Sequence, residues 1–172
     1  MKKFRSISII ISLLICILLY IKCEPEEIVE YITIRKQVNI NDPPCLQLYA
    51  SINKFAKKYG IPLKYAYGLA YQETRYMGVF HWGYNHKQIS SAGAVGALQV
   101  MPSTANGIWK RKVDVDSLKD NIELNVETSM KLLRLLKDKY GDWKVVFGAY
   151  NSGQPIINQY ALDIFNKNYI WE

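Results

Sequence analysis

The 172-residue chain carries 22 Lys plus Arg against 15 Asp plus Glu, a formal net charge of +7, and holds three cysteines and two histidines. Cysteines at 16, 23 and 45 do not make a disulfide framework, and His81 and His86, in a Gly- and aromatic-rich loop with no Cys or acidic partner nearby, suggest no metal site. The lysines are spread along the chain instead of forming a stripe, which argues for non-specific attraction to an anionic polymer and against nucleic acid as a partner.

At the amino terminus Lys2, Lys3 and Arg5 precede an apolar run from Ile7 to Ile21 interrupted only by Ser8 and Ser12, the layout of a secretory signal. The run is short for a spanning helix, which usually needs about 20 residues. No small-x-small cleavage pattern precedes Glu24, so residues 1–23 read either as a removed signal peptide or as a retained membrane anchor. Positive charge before the run and Glu24, Glu26 and Glu27 after it place the bulk of the chain outside the cytoplasm. Cys23 raises lipidation, but Tyr20, Ile21 and Lys22 are poor residues for a lipidation box. Residues 24–43 read as a spacer in which Ile32, Ile34, Val38 and Ile40 suggest a short extended piece.

From residue 44 to 172 the pattern predicts one all-α domain, long enough for a single buried core and without strand alternation. Asp42 and Pro43 can open a first helix whose stripe of Leu48, Ile52, Phe55 and Tyr59 stops at Gly60. The second is predicted from Pro62 to Met77 with Gly78 as its stop. Glu73 lies on its inward face beside Leu69, Ala70, Tyr76 and Met77, where desolvation would raise its pKa and let it hold a proton near neutral pH. A solvated helix glutamate is the plain alternative.

Next comes a stretch of small residues, Ser90 to Ala97 with glycines at 93 and 96, in which the backbone can turn tightly. Gln99 follows between apolar neighbours, and Pro102 opens another helix. Val126, Met130, Leu133, Leu136 and Tyr140 form a stripe ending at Gly141, followed by short helices from Trp143 to Tyr150 and from Pro155 to about Phe165. Between Thr74 and Val113 there is neither Asp nor Glu. An ordinary glycosidase needs two carboxyl groups about 5 to 10 Å apart, so such a mechanism is disfavoured unless Asp114, Asp116 or a later residue approaches in space.

Three blocks taken together, Glu73-Thr74, Ser90 through Pro102 and Ala149-Tyr150-Asn151-Ser152-Gly153, resemble the lytic transglycosylase family of the soluble, lysozyme-like (SLT) type. The likeness covers residues 44–160, with Asn125-Val126-Glu127 following the family's helix pattern. Thr74 stands where the family has serine, and Ala97 and Leu98 where it has Leu and Met. The resemblance implies an all-α, lysozyme-like fold and a cofactor-free enzyme acting on peptidoglycan glycan strands. Such an enzyme cuts the β-1,4 bond from N-acetylmuramic acid to N-acetylglucosamine and leaves a 1,6-anhydro product. It assigns Glu73 as acid and then base and places the Tyr150 phenol near that carboxyl. Thr74, Gln99, Met101 and Asn151 would be the substrate contacts: Gln99 and Met101 lining the saccharide cleft, Thr74 keeping a hydroxyl beside the acid, and Asn151 also securing the turn that holds Tyr150. It implies a place in the bacterial cell envelope, periplasmic or otherwise extracytoplasmic, with the inner membrane reached through the N-terminal segment and envelope complexes as further partners. A goose-type-lysozyme-like hydrolase and a non-catalytic wall-binding module are the alternatives.

Overall fold

Among the described residues, helices begin at a capping side chain or beside a proline, which has no N–H to leave unpaired, and most of them end at a residue with positive φ. The computed structural model describes residues 41–169. The readings of residues 1–23 as signal or anchor and of the spacer up to residue 40 lie outside the described residues. Among the described residues no helix is long and apolar enough to cross a membrane.

Seven helices follow one another among the described residues: α1 (Pro44–Tyr59), α2 (Leu63–Thr74), α3 (Pro102–Trp109), α4 (Val115–Asp120), α5 (Ile122–Tyr140), α6 (Trp143–Ser152) and α7 (Gln159–Asn166). No strand forms among these residues; two isolated antiparallel bridges, Ile89 with Val95 and Val95 with Val100, are the only extended pairing. The fold is therefore all-α, as the periodicity predicts. Side chains of Asp114, Asn121, Asp142 and Asn158 accept from backbone N–H groups at the starts of α4, α5, α6 and α7, meeting donors that a helix start leaves unpaired. Gly60 (φ 63°) returns its N–H to the end of α1, and Gly141 does so for α5.

The apolar stripes find each other. Leu48 and Ile52 on α1 are fully buried, as are Val126, Met130 and Leu133 on α5, and these two helices share the largest contact in the fold. Helix α6 packs on α5 and α7, and α2 rests on α1 and α7, so the main core lies between α1, α2, α5, α6 and α7. A smaller cluster of Val95, Val100, Ala105, Val113 and Leu118 sits under α3 and α4.

Two helix boundaries and one whole helix differ from the prediction. Helix α2 ends at Thr74, before Gly78, because Arg75 takes the left-handed conformation (φ 58°) and sends its N–H back to Tyr71 O at 2.9 Å. That turn drops Tyr76 into the core, fully buried, with its hydroxyl donating to Cys45 O at 2.9 Å, while Met77 emerges to 53% exposure. Tyr76 and Met77 therefore do not share a helical face with Glu73. Helix α7 begins at Gln159, well after Pro155, because the intervening loop packs hard on α6: a Cβ at Gly148 would lie 1.6 Å from Ile156 O. Asn158 then supplies the cap, its Oδ1 accepting from Ala161 N at 3.0 Å. Helix α4 carries no apolar stripe, which is why periodicity does not announce it.

Candidate active site

Glu73 occupies the last turn of α2, next to Thr74, and is half-buried. Burial pushes its pKa up to about 7, opposed by a hydrogen bond that stabilises the charged form. Its place at the negative end of a helix acts in the same direction as burial. The opposing hydrogen bond comes from Tyr160, whose phenol donates to Glu73 Oε1 in a short contact across 87 residues of sequence.

Tyr150 stands close by but has other partners. Its hydroxyl donates to Leu98 O at 2.7 Å and reaches Ser129 Oγ at 3.1 Å. Burial first, and then the neighbouring Glu73 carboxylate, raise the pKa of both phenols, so both stay protonated. The direct contact with the carboxyl that the family likeness suggests for Tyr150 is thus made by Tyr160. The sequence signal for Tyr160 is modest: it shares the inward face of α7 with Ile164, four residues on, which is fully buried.

Thr74 lies in the wall instead of on the surface of the cleft. It is 4% exposed, with its hydroxyl 2.8 Å from Ala97 O, to which it donates, and 2.7 Å from the Tyr84 hydroxyl. This corrects its expected place among the substrate contacts: Thr74 pins the 84 and 97 regions to the end of the helix that carries Glu73. Gln99 adopts the left-handed conformation (φ 48°), and its amide donates to Gln88 O at 3.1 Å and Gly96 O at 2.9 Å, both within its own loop. Its amide protons are therefore held by the loop backbone. Met101 is half-exposed at the start of α3. Asn151 is exposed at the end of α6 and accepts from Asn158 Nδ2 at 3.1 Å, joining α6 to the cap of the helix that presents Tyr160.

One further residue organises the site and is visible in the sequence only as part of a helix pattern. Asn125 on α5 is fully buried and accepts from Leu98 N at 2.8 Å while donating to Val95 O at 2.9 Å and Leu118 O at 3.0 Å. Gly96 (φ 83°) allows this approach, since a Cβ there would fall 2.2 Å from Asn125 Nδ2. The 95–98 turn is thereby fixed to α5, and through Leu98 O it also receives Tyr150.

Most other carboxylates are committed elsewhere. Glu123, Glu127, Asp116, Asp120, Asp138 and Asp163 pair with lysine or arginine. Asp114 and Asp142 cap helices. Neither cause of the Glu73 shift, burial and the Tyr160 bond, is a second carboxylate. Among the described residues no group of three or more His, Cys, Asp or Glu side chains could hold a metal. His86 is buried, and burial lowers its pKa.

The arrangement is a half-buried, protonatable carboxyl held by a phenol at the junction of α2 and α7, beside a turn locked by a buried amide. A solved structure of similar fold is the complex of the 70-kDa soluble lytic transglycosylase with bulgecin A, at 23% identity and a TM-score of 0.53. The likeness takes in 68% of this chain and 18% of that one, so the chain spans less than a fifth of the larger protein's length. The transglycosylase SLT domain family matches residues 50–169, which include Glu73, Asn125, Tyr150 and Tyr160. The protein belongs to the transglycosylase SLT domain family.

Proposed function

We propose that the domain is a peptidoglycan lytic transglycosylase in which Glu73 serves first as general acid and then as general base. The observation that carries this reading is the state of Glu73: its pKa stands at about 7 through burial, so near neutrality it can both give and take a proton. The acid form protonates the oxygen bridging N-acetylmuramic acid to N-acetylglucosamine. The carboxylate left behind then accepts the proton of the muramic acid 6-hydroxyl, which closes onto C1. The bond to the leaving sugar breaks as the 1,6-anhydro bond forms, so no water enters the product. One carboxyl suffices because the substrate supplies its own nucleophile, an exception to the two-carboxylate rule.

Tyr160 would hold Glu73 Oε1 in place and favour the carboxylate in the second step, since a donor to the charged form lowers the cost of ionisation. Tyr150, Gln99 and Asn125 would keep the opposing turn in register, and Met101 would offer a partly apolar contact to a sugar face. In this reading residues 44–172 form the catalytic domain and act outside the cytoplasm, where peptidoglycan lies, with residues 1–23 as signal or anchor and 24–43 as spacer.

Mass analysis of the muropeptides released from purified sacculi tests the reading. Anhydro ends are the expected product. Reducing ends would assign a hydrolase instead, and tight sacculus binding without release would assign a wall-binding module.

A further inference from the structure

Between Glu73 and the turn fixed by Asn125 runs a loop whose aromatic residues part into two sets. Tyr84 is buried, its ring edge-on to Tyr76 at 5.2 Å and its hydroxyl 2.7 Å from Oγ1 of Thr74, the residue after Glu73 in sequence. His81 packs on the Tyr84 ring at 5.4 Å. Its two neighbours turn the other way: Phe80 is 77% exposed and Trp82 is 63% exposed, with ring centroids 6.4 Å apart. Short backbone bonds wind this segment, from His81 N to Gly78 O, Trp82 N to Phe80 O and Tyr84 N to His81 O, at 3.2, 2.9 and 2.9 Å. Two large rings are therefore displayed to solvent from a tightly wound loop, with Met77 exposed on its approach.

Isolated exposed apolar residues are ordinary, but adjacent aromatic rings on an anchored loop beside a carboxyl poised for catalysis form a surface that needs an occupant. Trp82 lies two residues from Tyr84, so their Cα atoms are within about 7 Å, and Tyr84 touches the residue adjoining Glu73. A glycan strand that extends past Glu73 toward this loop would meet its exposed rings. The pyranose ring of a β-linked hexosamine has C–H groups on its faces and hydroxyls around its rim, which suits a rigid aromatic ring that is apolar in the middle and wet at the edge. We propose that Phe80 and Trp82 form a stacking platform for a hexosamine unit of the glycan strand beyond the pair that Glu73 cleaves. The platform rests on the peptidoglycan reading of the active site and adds a residue-level basis for holding longer strands. A lipid surface is the competing occupant for two exposed aromatics. Tyr84's bond beside the acid favours the glycan, because it ties the loop to the cleft.

The test compares full-length wild type with Phe80→Ala/Trp82→Ala, each also in a Glu73→Gln background, with Leu135→Ala as a control for loss of an exposed apolar side chain (51% exposed). The probes are purified sacculi, glycan strands of graded length, and phosphatidylglycerol–phosphatidylethanolamine vesicles. Loss of both rings should raise KM for long strands about tenfold or more, with kcat within about twofold, and should weaken sacculus binding of the Glu73→Gln protein to a similar degree. Thermal unfolding and vesicle binding should stay unchanged, and Leu135→Ala should match wild type. Unchanged KM and sacculus binding in an enzyme that still releases muropeptides would overturn the platform alone. So would weaker vesicle binding with sacculus binding intact, which assigns the loop to the membrane. Failure of the wild type to release muropeptides and of the Glu73→Gln protein to bind sacculi would remove the functional reading and the platform with it.

Discussion

Helices α1 and α5 and the segment from Arg75 to Met101 are held in place by different physics. The two helices meet through repeated apolar side chains, Leu48 and Ile52 against a stripe with Val126, Met130 and Leu133, all fully buried. The segment between α2 and α3 has no helix; it buries Tyr76, Val95, Leu98 and Val100, but with no repeating stripe its path is also fixed by individual polar bonds: Thr74 to Ala97, Asn125 to Leu98, Val95 and Leu118, and Gln99 to Gly96 and Gln88. Apolar burial is non-directional and distributed over many contacts, so it tolerates substitution of similar volume. A buried amide with several partners does not, because each partner it leaves unpaired keeps its full desolvation cost. The rigid helical frame and the exactingly bonded loop meet at Glu73.

Catalysis gives the sharpest break between them. Glu73→Gln should lower release of muropeptides by about 10² to 10⁴, the usual worth of general acid–base catalysis, while the midpoint of chemical denaturation near neutral pH does not fall. Residual turnover above a tenth of wild type would remove Glu73 from its role.

The polar clamp comes next. Asn125→Leu removes the amide that serves Leu98 N–H and Leu118 O, each worth about 1–3 kcal/mol when buried unpaired, while Val95 O keeps its bond from Val100 N at 3.0 Å. Unfolding in urea should report a loss of about 3 kcal/mol or more, with activity falling even where the protein remains folded. Leu133→Met should be mild by comparison, because the volume is conserved in a helix–helix contact. Equal effects from the two substitutions would erase the distinction between frame and loop.

The two phenols separate by pH behaviour. Activity of the wild type should decline as pH rises through about 7, where Glu73 loses the proton it must donate. Tyr160→Phe removes the bond that lowers this pKa, so the alkaline limb should move upward and turnover should fall about tenfold or more. Tyr150→Phe should lower turnover without moving the limb, since its hydroxyl serves Leu98 and Ser129. A limb that moves with Tyr150→Phe and stays with Tyr160→Phe would reverse the assignment.

A smaller effect follows by linkage. Glu73 binds its proton more tightly folded, at about 7, than at its ordinary value of 4.5, so between those values the native state holds more protons than the unfolded chain. Stability is then greatest below the lower value and declines as pH rises through the window. Glu73→Gln lacks this term, and its melting temperature should gain on wild type from pH 4 to pH 8. A difference that stays constant with pH would place Glu73 in an environment like water. At the bottom of the scale, Lys54→Met breaks an exposed ion pair with Glu123 and should leave the melting temperature where it was.

The sequence alone determined what repeats locally. A stripe such as Leu48, Ile52 and Phe55 has one buried solution on a helix, and Gly60 and Gly141 end their helices because a positive φ carries no penalty at glycine. It also singled out Glu73, through a carboxyl next to Leu69 and Ala70 followed by the Ser90–Pro102 and Ala149–Gly153 blocks; helix position by itself left a solvated glutamate open. Tertiary structure decided the rest. That α2 stops at Thr74 follows from Tyr76 gaining a buried place and Cys45 O as acceptor, a partner 31 residues away that no local pattern contains. That Tyr160 and not Tyr150 holds the acid depends on α7 crossing α2, and two phenols ten positions apart are equivalent until that crossing exists. Thr74 likewise looks like a hydroxyl beside the substrate until Tyr84 and Ala97 close over it. Periodicity records which residues turn inward; which inward residues meet is set by packing across the chain, where the bonds at this site are made.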